Sequence, residues 1–162
     1  MAHPAAELVV AREEDGRICG AALVLMAERL GEEDFAADAI LGAIRQSLGQ
    51  RTRVRTPGAV DLIERFIFAE GGLSTPNPAL TALLTHHMVY ITDRRTGLWV
   101  LFGERGKCLE ELMVHYSGWD TLPDLFIRLD GVEHFAPVRD WQRETWPDWL
   151  DRMVRQAEVQ YP

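Results

Sequence analysis

Apolar residues along this chain follow two regimes. From Cys19 to Leu30, the positions Ala22, Leu23, Met26 and Leu30 recur at mixed three- and four-residue spacings and Gly31 follows as a stop, which predicts a helix with Cys19 at its N-terminus. Asp34 to Leu48 repeats the pattern, with Phe35, Ile40, Leu41, Ile44 and Leu48 on one face and Asp34 as the cap. Thr56-Pro57 gives a cap followed by proline, and Val60, Ile63, Phe66 and Ile67 carry a third predicted helix to Gly71-Gly72. Asn77-Pro78 repeats that start signal for a short helix through Leu84.

The period then changes. His87 to Thr92 and Leu98 to Phe102 are rich in β-branched and aromatic residues and are joined by the turn-like Asp93 to Gly97, so they read as adjacent strands. Leu109 to Tyr116 is open between strand and helix. Leu125, Ile127 and Leu129 alternate onto one face, and Asp130-Gly131 is a two-residue hairpin turn into a strand over Glu133 to Val138. A last helix starts near Thr145 or Trp146, with Trp149, Leu150, Met153 and Val154 as its stripe. The expected fold class is α+β, with N-terminal helices packed on a small, mostly antiparallel C-terminal sheet, and the expected organisation is one domain over residues 1–162.

Composition narrows the partners. A formal charge of −8 argues against nucleic acid, because phosphate binding draws on clustered Lys and Arg, and the one basic cluster, Arg51, Arg53 and Arg55, is short. No stretch reaches the roughly 20 apolar residues that span a bilayer. Two cysteines, Cys19 and Cys108, form no metal spacing and no disulfide framework, so a reducing, cytoplasmic setting is expected, without a metal or cofactor. His86 and His87, as strand neighbours, would point to opposite faces and share no ion. The five tryptophans, Trp99, Trp119, Trp141, Trp146 and Trp149, read as packing residues. The oligomeric state is open.

The chemistry that stands out is a thiol at a helix start and an imidazole on a late strand. A helix N-terminus favours thiolate, and an imidazole can take the thiol proton and return it to a leaving amine. Cys19 is then the nucleophile and His134 the base. The loop before Cys19, with Gly16 and Arg17, would supply oxyanion amides, and Gly20 would let a substrate carbonyl approach them. Asp15, Asp140 or Asn77 would orient the imidazole.

Asp15-Gly16-Arg17-Ile18-Cys19, with His134-Phe135 and the Gly71-Gly72 passage into a Leu-rich helix, resembles the ovarian-tumour (OTU) type of papain-like cysteine protease, mostly deubiquitinases. Cys19-Gly20-Ala21-Ala22 is similar also to the bacteriocin-processing papain-like peptidases. The OTU resemblance implies a papain-like fold and a thiol-dependent (iso)peptidase that cuts after the Gly-Gly tail of ubiquitin or a ubiquitin-like protein, in the cytoplasm or in a host's cytoplasm if the chain is a viral or bacterial effector. Phe135, Gly20, Gly71 and Gly72 would then border a narrow substrate channel. A papain-like glutamine deamidase, or a catalytically silent binding module of the same fold, are the alternatives.

Overall fold

The structure is a computed structural model, and it describes residues 3–50, 56–73, 77–93, 96–107, 110–122, 125 and 127–160. Cys108 and the cluster Arg51, Arg53 and Arg55 lie outside the described residues.

The first 26 residues form a hairpin, β1 (Ala6–Arg12) and β2 (Ile18–Met26), where the apolar spacing predicted a helix. The reason is burial. Val24 and Met26 pack on one face of the sheet and Leu25 on the other, so β2 is apolar on both sides and shows no period of two. The helix expected over Thr56–Ile67 is likewise a strand, β3 (Val60–Ala69), and Thr56 opens a turn in which its carbonyl accepts from Ala59 N at 3.0 Å. The reverse error falls on His87–Thr92, which belongs to helix α3 (Pro78–Asp93). Asn77 does start that helix, its Oδ1 accepting from Leu80 N at 2.8 Å.

Between β2 and β3 lie α1 (Glu32–Ala37) and α2 (Ala39–Gly49), close to the predicted span. Asp34 accepts from Gly31 N at 2.7 Å. The break between them comes from Asp38, which caps α2 by accepting from Ile40 N at 2.8 Å. After α3 come β4 (Thr96–Leu101), β5 (Gly103–Glu104), a wide-turned helical segment Glu111–Tyr116, β6 (Asp120–Thr121), β7 (Ile127–Leu129), β8 (Val132–Phe135), β9 (Pro137–Asp140) and α4 (Trp146–Gln160). The Asp130-Gly131 turn is as read from the sequence, with φ of 49° and 82°. Thr145 starts α4, where its Oγ1 donates to Asp148 Oδ2 at 2.6 Å.

The main sheet has the order β1-β2-β3-β4-β9-β6, and a second has β5-β8-β7. Within the main sheet β3 and β4 are parallel, the crossover being α3, and the other pairs are antiparallel. Ile40, Leu41 and Ile44 of α2 cover one face over Leu25, Ile63, Leu98 and Val100. On the other face Tyr90 of α3 packs with Val24, Leu62 and Trp99. The expected segregation of N-terminal helices from a C-terminal antiparallel sheet is therefore corrected: strands and helices are interleaved, and the sheet is mixed because the α3 crossover delivers β4 parallel to β3.

Gly20 sets how close α3 comes to the sheet. A Cβ there would meet Ala79 Cβ, Leu83 Cδ1 and the Phe68 carbonyl oxygen, each at 3.2 Å. Gly20→Val should therefore push α3 off β2 and destabilise the fold by about 1–3 kcal/mol, lowering Tm by several degrees in a thermal CD melt. An unchanged Tm would contradict this packing.

Candidate functional site: the fork between β3 and β4

Pairing between β3 and β4 runs through Leu62 with Trp99 and Ile63 with Val100 and stops at Glu64 with Leu101. There β4 ends, and the chain turns at Phe102 into β5, which pairs with β8 in the second sheet. β3 continues to Ala69, held on its other edge by β2. The parallel strands thus part like a fork. Beside it, the β2–β3 register shifts between Leu23 opposite Phe66 and Val24 opposite Glu64, leaving Arg65 as the extra residue of a bulge. The bulge breaks the alternation along β3, so that Glu64 and Ile67 line the same cavity on the α3 side.

That cavity, about 210 Å³, lies between α3 and the fork, with walls that include His87, Met88, Trp99, Trp141 and Trp149. Its polar groups are few and buried. Glu64 is 2% exposed, and neither carboxyl oxygen has a hydrogen-bond partner. His87 Nδ1 is 3.6 Å from Glu64 Oε2, too long for a hydrogen bond, and His87 Nε2 and Trp99 Nε1 have no partner. Burial pushes the Glu64 carboxyl up to about 8, while the facing Trp99 indole N–H pulls the other way without reaching hydrogen-bond geometry. Burial, helped by the adjacent His86, brings the His87 imidazole down to about 4. At neutral pH the two therefore face each other as a neutral acid and a neutral imidazole, not as an ion pair.

A second recess, about 550 Å³, has walls that include Arg65, Ile67, Phe102, Glu104, Lys107 and His134. Ile67 belongs to the walls of both. The His134 ring lies flat on Phe102, with centroids 5.0 Å apart and planes at 2°, and its Nδ1 is 3.1 Å from the Val132 carbonyl oxygen. With that carbonyl accepting, Nδ1 is the donor, so in the neutral ring Nε2 is the acceptor. Arg65 donates through Nε to Asp38 at 2.8 Å, which fixes its guanidinium beside the recess.

No protein-family model matches this sequence, and comparison with curated proteins gives no match. Solved structures do match in shape. FeeM, an N-acyl amino acid synthase from uncultured soil microbes, superposes with a TM-score of 0.58 at 12% identity, covering 90% of this chain and 75% of FeeM. The CoA-dependent acyl-homoserine lactone synthase MesI gives 0.52 at 16%, covering 96% of this chain and 71% of its own. The C-terminal condensation domain of Ebony, in complex with beta-alanyl-dopamine, gives 0.50 at 12%, covering 82% and 71%. The chain shares the GNAT-like fold of these structures.

This fold overturns the OTU and papain-like reading, and with it the cysteine (iso)peptidase, the deamidase and silent-module alternatives, and ubiquitin as partner. The physical reason is visible at Cys19. It lies not at a helix start but in a bulge of β2, between Ile18 opposite Arg12 and Gly20 opposite Ala11. Only 7% exposed, it packs in a small apolar cluster with Ala22, Ala79 and Leu83, and the helix end beside it is that of α3, whose Asn77 and Pro78 share its recess, not the start of a helix of its own. Cys19, Asp15, Arg17 and Asn77 line a third recess, whose walls include no histidine among the described residues, whereas His134 lines the recess at the fork.

The other expected site residues are placed as follows. Asp15 closes the β1–β2 turn by accepting from Arg17 N at 2.9 Å, and Gly16 supplies its positive φ of 87°. The Arg17 side chain pairs with Glu13 and Glu70. Gly20 serves helix packing. Gly71 and Gly72 turn the chain after β3, and Asn77 donates to the Gly72 carbonyl at 2.9 Å. Phe135 is buried opposite Gly103. Asp140 accepts from Gln142 N at 3.0 Å and sits 3.4 Å from Arg143. The hydrogen bond on the His134 ring goes to a backbone carbonyl and not to either carboxylate.

Glu64, His87 and Trp99 were missed. Read as a helix, the segment drew attention to Val60, Ile63, Phe66 and Ile67 and not to Glu64, whereas the β-branched and aromatic run from Val60 to Ala69, with Asp61 and Glu64 inside it, is the signal of a strand carrying buried carboxyls. The tryptophans do pack, as expected, and in doing so wall a cavity.

The pair has a pH signature. Glu64 titrates higher folded than unfolded, so its contribution is fully present below about 4.5 and is lost as pH rises towards about 8. His87 titrates lower folded, so its contribution is present above about 6.5 and is lost as pH falls towards about 4. Glu64→Gln should therefore gain stability over wild type between pH 5 and 8, on the order of a few kcal/mol in urea melts. A pH-independent difference would contradict a buried, proton-retaining Glu64.

Proposed function

We propose that this chain is an acyltransferase that moves an acyl group from a thioester carrier onto a small amine bearing an anionic group. The observation that carries this reading is the fork itself, with an apolar cavity and a recess containing Arg65, Lys107 and His134, which Ile67 divides. The acyl group belongs in the apolar cavity, where its burial is favourable. An amine with a carboxylate or similar anion suits the recess, where Arg65 and Lys107 can meet the anion and Glu104 the ammonium form of the amine.

The reaction asks little of the protein beyond position and charge. The amine lone pair attacks the thioester carbonyl, the C–N bond forms, the C–S bond breaks, and the thiolate leaves. β3 beyond Glu64 has no β4 neighbour, so that edge offers backbone N–H groups to the developing oxyanion and to the carrier's arm. His134 Nε2, the free acceptor of the recess, takes the proton from the amine. The histidine read from the sequence as a base thus keeps that role in this proposal, with an amine in place of a thiol. Support comes also from the shared fold with proteins described as an N-acyl amino acid synthase and a CoA-dependent acyl-homoserine lactone synthase.

The test is thiol release from a panel of acyl-CoA and acyl-carrier-protein thioesters in the presence of amino acids and related amines, with mass spectrometry of the products. Amide products with one thiol released per acyl group are expected, and His134→Ala should lower turnover about a hundredfold or more while leaving Tm unchanged. Folded protein that releases no thiol from any donor would overturn the proposal.

A further inference from the structure

The fork cavity is not uniformly apolar. Glu64 Oε1 and Oε2, His87 Nε2, Trp99 Nε1 and Trp141 Nε1 are all buried without a hydrogen-bond partner, and all five belong to residues that line it. Buried polar atoms left unpaired are uncommon in native proteins, and several around one void point to something that the void is built to hold. A saturated alkyl chain would leave every one of them unpaired. A hydroxyl is the smallest group that answers them, since it accepts from an indole or imidazole N–H and donates to a carboxyl oxygen. At neutral pH the groups facing it are a protonated Glu64, a neutral His87 and two indole N–H donors, a set that repels a carboxylate or ammonium less than it fails to pay for its desolvation.

Size and walls narrow the ligand further. An apolar cavity of about 150 Å³ holds a benzene ring, so about 210 Å³ has room for roughly eight non-hydrogen atoms, a ring with two small substituents. The walls are aromatic. Trp99 lies 4.9 Å from the His87 ring, and Trp141 meets Trp149 edge to face at 5.8 Å, so a planar ring entering here finds rings to pack against.

We infer that the fork cavity selects a compact hydroxyaryl group, with the ring against the tryptophans and the hydroxyl held by Glu64, His87 and Trp99. This rests on the proposed function only in calling that group the acyl end of the donor. Glu64 acts here as a specificity residue. It faces the cavity, while the amine is assigned to the recess on the other side of Ile67.

The experiment measures binding without any thioester, so failure of acyl transfer leaves its result standing. Calorimetric titration at pH 7 compares p-cresol, p-xylene and 1-heptanol, three probes of about eight non-hydrogen atoms that differ in the hydroxyl and in the ring. We expect p-cresol to bind about tenfold more tightly than p-xylene and more tightly than 1-heptanol. Glu64→Leu should abolish the preference for p-cresol over p-xylene, and Glu64→Gln, which can still donate and accept, should keep it. Equal or tighter binding of p-xylene to wild type overturns hydroxyl recognition, and tighter binding of 1-heptanol overturns the ring. If Glu64→Gln loses turnover while p-cresol binds as before and Glu64→Leu keeps the preference, Glu64 serves the reaction and not the hydroxyl, which also overturns the inference.

Discussion

Two parallel strands that pair for only part of their length impose most of what is distinctive here. β3 and β4 hold register to Glu64 and Leu101, and then β4 ends while β3 runs on to Ala69. An unpaired stretch of strand between covered faces has to be filled or occupied, because its backbone groups and the side chains on both sides lose their neighbours together. The protein leaves the gap unfilled: α3 bridges one side at a distance set by Gly20, and the second sheet, entered through Phe102, borders the other.

The bulge at Arg65 makes the gap chemically two-sided. By adding one residue, it keeps Glu64 and Ile67 on the α3 cavity and places Arg65 at the recess, paired with Asp38 at the start of α2. One strand therefore brings a buried acid to an aromatic cavity and a guanidinium to an open recess within adjacent positions. The acid's burial raises its pKa to about 8, so the cavity is kept neutral near physiological pH, as an uncharged ligand requires.

Local, capped elements were legible in the sequence. Asn77 at the start of α3, Thr145 at the start of α4 and the Asp130-Gly131 turn each carry their own hydrogen bonds or dihedrals, which neighbours do not alter. Elements whose apolar residues fall on both faces were not. β2 is apolar on both of its faces, and β3 and the second half of α3 keep apolar residues at exposed positions as well, Phe66, Phe68 and Val89 among them, so none shows a clean period by which strand and helix can be told apart. That ambiguity put Cys19 on a helix end and paired it with a histidine that lines another recess. The fork was beyond reach for a second reason: it arises where strand pairing stops, and Leu101 and Glu64 carry no local mark of being the last pair.

The most direct measurement is a crystal structure of this chain with an acyl-CoA. The account predicts the acyl group between α3 and the fork, beside Glu64 and Trp99, with the thioester carbonyl at the β3 edge beyond Glu64 and the His134 side of the fork open to an amine. Density for the acyl group elsewhere, with β3 and β4 closed together past Leu101, would contradict it.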